Sequence, residues 1–330
     1  MLPVLDPWRA SAIALDVLAA SRAAPAAVRE RQAQRLAALL VAAARRSPLY
    51  RSLLRGRDPA STPLEALPPA RKGELMARFD EWMGDRRFTL PSLRRFVADP
   101  LRIGRPHHGC AVWESSGSTG EPALFVQDAQ AMAVYDALEA WRRPQLRWWN
   151  PWLVGERFAF VGATGGHFAS TVSVERLRRL HPGMASTLRS FSFLQPLPDL
   201  VSQLNRYAPS IIATYPTAAL LLAEQAQAGR LRITAQEVWT GGEPLTPAVR
   251  RFIAEQLHCR VTNSYGASEF LALAGECRLQ RLHLNSDWAI LESVDAAGRP
   301  VPPGEAGCTT LLTNLANHLQ PLIRYDLGDR

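Results

Sequence analysis

Lysine is almost missing from this chain: Lys72 is the only one among 330 residues. Chemistry that needs an ammonium group from any later position is excluded within this stretch. Cysteine is scarce too. The four, at 110, 259, 277 and 308, contain no C-x-x-C pair, which argues against a secreted disulfide framework and for a reducing cytoplasm. No apolar run reaches the roughly 18 uncharged residues of a membrane span. The Ala-rich segment from Ile13 to Ala20 is interrupted by Asp16 and has no basic cluster before it, so it predicts a short amphipathic helix, not a signal sequence. The phosphate-loop pattern G-x-x-x-x-G-K-[ST] does not occur.

What remains is ordinary globular material, 47% apolar and 21% charged, enough for one large or two modest domains. The net charge of +8 is uneven. Residues 1–110 hold 19 Lys+Arg against 10 Asp+Glu, and the other 220 hold 19 against 20. A basic first third can mark a nucleic-acid binder. Here the arginines are spread, not gathered in a stripe, and read as a solvated helical surface. Trp141, Trp148, Trp149 and Trp152, interleaved with Arg142, Arg143 and Arg147, read as a partner surface or as core with snorkelling arginines.

The densest signal is Ser115-Ser116-Gly117-Ser118-Thr119-Gly120, two glycines and four hydroxyl residues in six positions. Such a run favours turns over helix or central strand. It can wrap backbone N–H groups and hydroxyls around an anion, or serve as an exposed linker. Short apolar strands from Cys110 to Trp113 and Ala123 to Val126 flank it and predict a hairpin presenting a loop. Helices are predicted over 26–46, 71–82, 129–142, 216–228 and 247–257. Strands are predicted over 157–161, 211–214, 237–240 and 260–263. Each of the last group runs into a loop, among them Gly162–Phe168, Gly241–Pro244 and Ser264–Glu269. Strand, loop and helix in alternation predict an α/β fold, mostly parallel sheets flanked by helices, with ligands at the carboxyl ends of the strands. Short strands and turns over 286–325 predict a small appended β subdomain. The expected organisation is an N-terminal helical part (1–110), an α/β nucleotide- and acyl-binding core (111–285) and the β subdomain (286–330).

Four stretches in this order, Ser115–Pro122, Gly241–Pro244, Asn263-x-Tyr-Gly-x-Ser-Glu269 and Tyr325–Asp329, resemble the adenylate-forming superfamily of acyl-CoA synthetases, luciferases and peptide-synthetase adenylation domains. Arg35-Leu36, Ser47-Pro-Leu-Tyr50, Leu67-Pro…Lys72 and Pro321-Leu-Ile-Arg-Tyr325 are similar to its phenylacetate–coenzyme A ligase branch. The resemblance implies ATP-dependent activation of a small aryl carboxylate (phenylacetate, benzoate or hydroxybenzoate type) to acyl-AMP. Transfer to coenzyme A or a carrier-protein phosphopantetheine would follow. It implies that Ser115, Ser116, Gly117, Ser118, Thr119 and Gly120 hold the β/γ-phosphates and that Glu269 and Thr119 face Mg²⁺. Tyr265, within Asn263, Ser264, Gly266 and Ser268, would stack on adenine beside Gly242, Glu243 and Pro244, and Asp329 would take the ribose. His167, Phe168, Gly241, Gly266 and Ala267 would form the acyl pocket, His167 being also a candidate catalytic group. It further implies that the family's small C-terminal domain, with its catalytic lysine, is absent and that this chain alone adenylates weakly. Glu121 stands where the family often has lysine, and Tyr325–Asp329 lacks the usual basic residue and threonine.

Two further readings differ in kind: a non-catalytic module that binds ATP or acyl-adenylate, and a nucleic-acid binder. Cys259, Cys277, His283 and Cys308 carry zinc-ligand side chains at irregular spacing. They are an expected Cys₃His set or four scattered residues.

Overall fold

The structure, a computed structural model, describes residues 4–115, 122–141, 155–302 and 304–329. They form two compact units. One takes in Asp99–Pro106 and Leu138–Leu284; the other takes in Val4–Ala98, His107–Ala137 and Asn285–Arg330. In chain order the strands are β1 (Ala111–Glu114), β2 (Leu124–Gln127), β3 (Phe158–Gly162), β4 (Leu188–Ser192), β5 (Ile211–Thr214), β6 (Glu237–Gly241), β7 (Arg260–Ala267), β8 (Phe270–Glu276), β9 (Leu282–Leu284), β10 (Ala289–Val294), β11 (Thr309–Asn314) and β12 (Tyr325–Asp326).

The first unit is built on a seven-stranded sheet in the order β4-β3-β5-β6-β7-β8-β9. The first five of these are mutually parallel and the last two are antiparallel. β3 and β5 are short apolar runs, as strands covered on both faces of a sheet require. Ile211 and Ile212 have no exposed surface, each contributing about 1.5–3 kcal/mol through burial. Val161, Ile212, Val238, Leu204, Leu222 and Ile253 share one core cluster. The helix Pro247–Leu257 shows how local chemistry sets the ends. Thr246 accepts from the Val249 N–H at 3.3 Å, Pro247 takes the first turn, and His258 stops the helix at φ +49°.

The second unit packs helices Pro25–Arg46, Pro48–Leu53 and Leu90–Val97 with the β1–β2 hairpin and an antiparallel sheet β10-β11-β12. Ser47 ends one helix and caps the next, its Oγ accepting from the Tyr50 N–H.

Two expectations need correction. The helix predicted over 71–82 is two short ones, Lys72–Ala77 and Phe79–Trp82, divided where Arg78 leaves helical geometry at φ −111°, ψ 33°. The predicted loop Ser264–Glu269 is largely strand: β7 continues to Ala267, and Ser268-Glu269 is the turn of a hairpin with β8. Pairing with the apolar β8, which the sequence reading missed, satisfies this backbone.

Candidate active site

Each unit carries part of the expected site. In the first, parallel registry lines up the carboxyl ends of the strands. Gly162 lies opposite Ser192, Thr214 opposite Thr240, and Gly241 opposite Ser264. Space for a side chain is tight at Gly241 and Gly242 and absent at Gly266. A Cβ at Gly241 would lie 3.0 Å from Ser264 Oγ, and one at Gly242 (φ +78°) 3.0 Å from the Tyr215 ring. At Gly266, where the β7–β8 register shifts, it would lie 2.0 Å from the Leu271 carbonyl oxygen. The bulge re-aims the strand after Tyr265, as bulges beside sites do.

The structure gives several predicted side chains structural work. Glu243 accepts from both the N–H and the Oγ1 of Thr217, each at 3.0 Å, and so caps the helix Pro216–Gln227. Both oxygens of its side chain are thereby engaged. Ser264 donates to the Thr240 carbonyl, and Asn263 Oδ1 accepts from Thr240 Oγ1. His167 is fully buried, with Nε2 3.1 Å from the Asp99 carbonyl oxygen, so that nitrogen carries the proton. A ring held this way braces the glycine loop and is not presented to solvent. Phe168 is the N-cap position of the helix Ala169–Leu180. Glu269, only 9% exposed, sits in the β7–β8 turn and brings a carboxylate to this end of the sheet.

Sequence reasoning missed Tyr215. It follows β5 at the same edge, its ring packs edge-on against Phe193 at 5.7 Å, and it approaches Gly242. Burial first, then the nearby Glu243 carboxylate, raise its phenol pKa, while a hydrogen bond to Ser170 opposes the rise. The available signal was position alone, an aromatic between a parallel strand and a Pro-led helix.

In the second unit, Ser115 closes the neck of the β1–β2 connection. Its N–H donates to the Ala123 carbonyl and its Oγ accepts from the Ala123 N–H, both at 2.9 Å. That hydroxyl is spent on the neck. Ser116, Gly117, Ser118, Thr119, Gly120 and Glu121 lie outside the described residues, as do Arg142, Arg143, Arg147, Trp148, Trp149 and Trp152. Asp329 is exposed beyond β12, where Asp326 Oδ1 accepts from the Gly328 N–H at 3.0 Å and stiffens the turn.

Of the two readings of Cys259, Cys277, His283 and Cys308, the structure favours four scattered residues. Among the described residues no group of three or more His, Cys, Asp or Glu side chains could hold a metal. Extending the β7–β8 register places Cys277 opposite Thr262, three residues and about 10 Å along the strand from Cys259. His283 pairs with Gly275 in a different row. Burial pushes the Cys259 thiol up to about 11, which opposes the thiolate a metal needs.

The AMP-binding enzyme family matches residues 10–308. This chain belongs to that family. A phenylacetate–coenzyme A ligase from Thermus thermophilus is 27% identical over 322 residues, covering 92% of this chain and 65% of the relative. The chain thus spans a little under two thirds of that relative's length. Two crystal structures of a 2-hydroxyisobutyryl-CoA ligase share the fold. One, an open conformation with 2-HIB-AMP and CoA, gives a TM-score of 0.63 at 20% identity over 89% of this chain and 67% of the other. The second, in the thioesterification state, gives 0.63 at 23% identity over 92% and 63%. In this chain the α/β sheet ends in an edge that carries Gly241, Gly242 and Gly266, with Tyr215 beside it. No helix among the described residues is long and apolar enough to cross a membrane.

Proposed function

We propose that this chain is the large domain of an acid–thiol ligase that activates a small aryl carboxylate with ATP. The carrying observation is the alignment, in a member of the AMP-binding family, of Gly241, Gly242 and Tyr215 with the Tyr265 bulge at one edge of a parallel sheet. In the reaction a substrate carboxylate oxygen attacks the α-phosphorus of ATP. The bond from that phosphorus to the β-phosphate oxygen breaks, giving acyl-AMP and pyrophosphate. A thiolate, from coenzyme A or a carrier protein's phosphopantetheine, then attacks the acyl carbonyl and AMP leaves.

Such a displacement needs positioning and neutralisation more than a protein nucleophile. Tyr265 supplies a face for adenine, and the Gly242-Glu243-Pro244 backbone its edge. The residues from Ser116 to Gly120, Thr119 among them, take the phosphates, and Asp329 the ribose hydroxyls. The Glu269 carboxylate fits Mg²⁺, which prefers hard oxygen ligands, and would hold it; the ion supplies charge neutralisation at the phosphates. The Tyr215–Phe193 pair gives the acyl side an aromatic wall that suits an aryl ring. The similarity to a phenylacetate–coenzyme A ligase supports the same substrate class.

The test is thermal stabilisation by ATP and Mg²⁺ with a panel of aryl acids, with 2-hydroxyisobutyrate as the aliphatic comparison. Stabilisation by ATP plus phenylacetate, benzoate or a hydroxybenzoate, beyond ATP alone, is expected. A response confined to the aliphatic acid, or no response to ATP, would sink the proposal. ATP–pyrophosphate exchange in the same samples separates a ligase domain from a module that only binds.

A further inference from the structure

A second concavity lies at the opposite end of the first unit's sheet. Helix Pro247–Leu257, the start of β7 and the β8–β9 turn enclose a pocket of about 480 Å³, within the range of small-ligand sites. It sits where β7 begins at Arg260, five residues and about 17 Å along the strand from Tyr265.

Its lining is chemically one-sided. Arg250, Arg251, Arg260 and Arg278 face one carboxylate, Glu276. That carboxylate is fully used. It forms a buried pair with Arg250, and its Oε2 accepts from Arg250 at 3.0 Å and from the Asn263 N–H at 2.9 Å. Arg250 also donates to the Val261 carbonyl at 2.7 Å. The pair is a brace that fixes the pocket floor and neutralises itself. Arg251, Arg260 and Arg278 come from three separate elements, and their charges face the same space. Among the described residues neither Arg251 nor Arg278 is in an ion pair. Arg260 has a further partner, so Arg251 and Arg278 supply the uncompensated charge. The other lining groups, from Thr262, Gln280, Cys259 and Cys277, can donate.

We propose that this pocket is a binding site for a phosphate-type polyanion, separate from the nucleotide site. Guanidinium forks match phosphate oxygens two at a time, and Arg251 and Arg278, on separate elements lining one pocket, suit a terminal phosphate or a pyrophosphate group.

Cys277 lines the pocket and reports on its occupancy. The protein is alkylated with neutral iodoacetamide in inorganic pyrophosphate without Mg²⁺, in orthophosphate, or in potassium chloride of matched ionic strength. Modification of Cys277 and of the exposed Cys308 is followed by peptide mass spectrometry. At millimolar pyrophosphate, Cys277 should react at least threefold more slowly while Cys308 is unchanged. The double variant Arg251→Ala/Arg278→Ala changes exposed side chains only and should lose that protection. Protection by orthophosphate as well would define a single-phosphate site, and protection by pyrophosphate alone a two-phosphate site. Equal protection by chloride, undiminished protection in the double variant, or no protection at 10-fold higher pyrophosphate would each overturn the proposal.

Discussion

The two units differ in where their polar residues gather. In the second unit, side chains that look like loop residues are wholly internal: Asn314, Asn317 and Gln320 are at most 1% exposed. Asn317 Nδ2 donates to the Val126 carbonyl at 2.8 Å and to Gln127 Oε1 at 2.9 Å, and Gln320 Oε1 accepts from the Val126 N–H at 2.7 Å. They occupy backbone groups of β2 that would otherwise be an open edge. In the first unit the polar and glycine positions gather where the parallel strands end, at Gly241, Gly242, Ser264 and Tyr265. One unit spends polarity on holding its shape. The other keeps backbone accessible, as an adenylate-binding edge would need.

The largest test of this contrast is Arg324. It is 3% exposed at φ +51°, pairs with Glu292 at 3.1 Å and donates to the carbonyls of Leu67 and Gly298, each at 2.7 Å. Arg324→Met leaves the Glu292 carboxylate buried without its cation and should cost about 3–5 kcal/mol of stability. Adding Glu292→Leu should restore part of it. Urea denaturation of both variants measures this, and a single variant within 1 kcal/mol of the parent would remove Arg324 from the frame.

Next comes Gly266, on the other side of the contrast. A methyl group there meets the Leu271 backbone oxygen. Gly266→Ala should destabilise by about 1–3 kcal/mol through overpacking and lower ATP-dependent stabilisation more than the fold itself. If ATP binding survives at full strength, the bulge has no part in the site.

Much of the first unit was legible because its chemistry is local. Short apolar runs ending in glycine give parallel strands with open ends, and the strand over 211–214 and the helix over 247–257 fall where the pattern places them. The structure shows what pattern cannot. Whether Glu243 faces a ligand or the Thr217 N–H depends on a contact 26 residues away in sequence. Tyr215 carries no motif, because an aromatic beside a strand looks the same in a core or a pocket. Asn314, Asn317 and Gln320 carry no sequence signal of burial, since it comes from a hairpin some 190 positions earlier. Whether Cys259, Cys277, His283 and Cys308 meet was hidden for the same reason: residue types were visible, but the β7–β8 register that places Cys277 was not.

The Glu243 cap offers a smaller test. Glu243→Ala removes both acceptors of Thr217 and should cost about 0.5–2 kcal/mol, the range for helix-capping side chains. If the ligand uses only backbone here, ATP-dependent stabilisation should persist once the lower baseline is subtracted. A selective loss of ATP binding would instead give the carboxylate a direct ligand role.

The smallest effect expected belongs to His318, back in the frame. Burial first lowers its pKa below the ordinary 6.5, and the Arg46 charge adds to that, against Asp128 and a hydrogen bond at Leu315. The sign follows from linkage. As pH falls through 6.5 the unfolded chain takes up a proton that the folded chain refuses until lower pH, so unfolding binds protons and stability declines in that window. His318→Asn removes this group, so its stability should fall less between pH 7.5 and 5.5 than the parent's, with a difference below that of the Glu243 cap. Denaturation midpoints across that range decide it. Parallel pH profiles would mean that the folded and unfolded chains hold the His318 proton equally, and the second unit would then be rigid without excluding charge at this position.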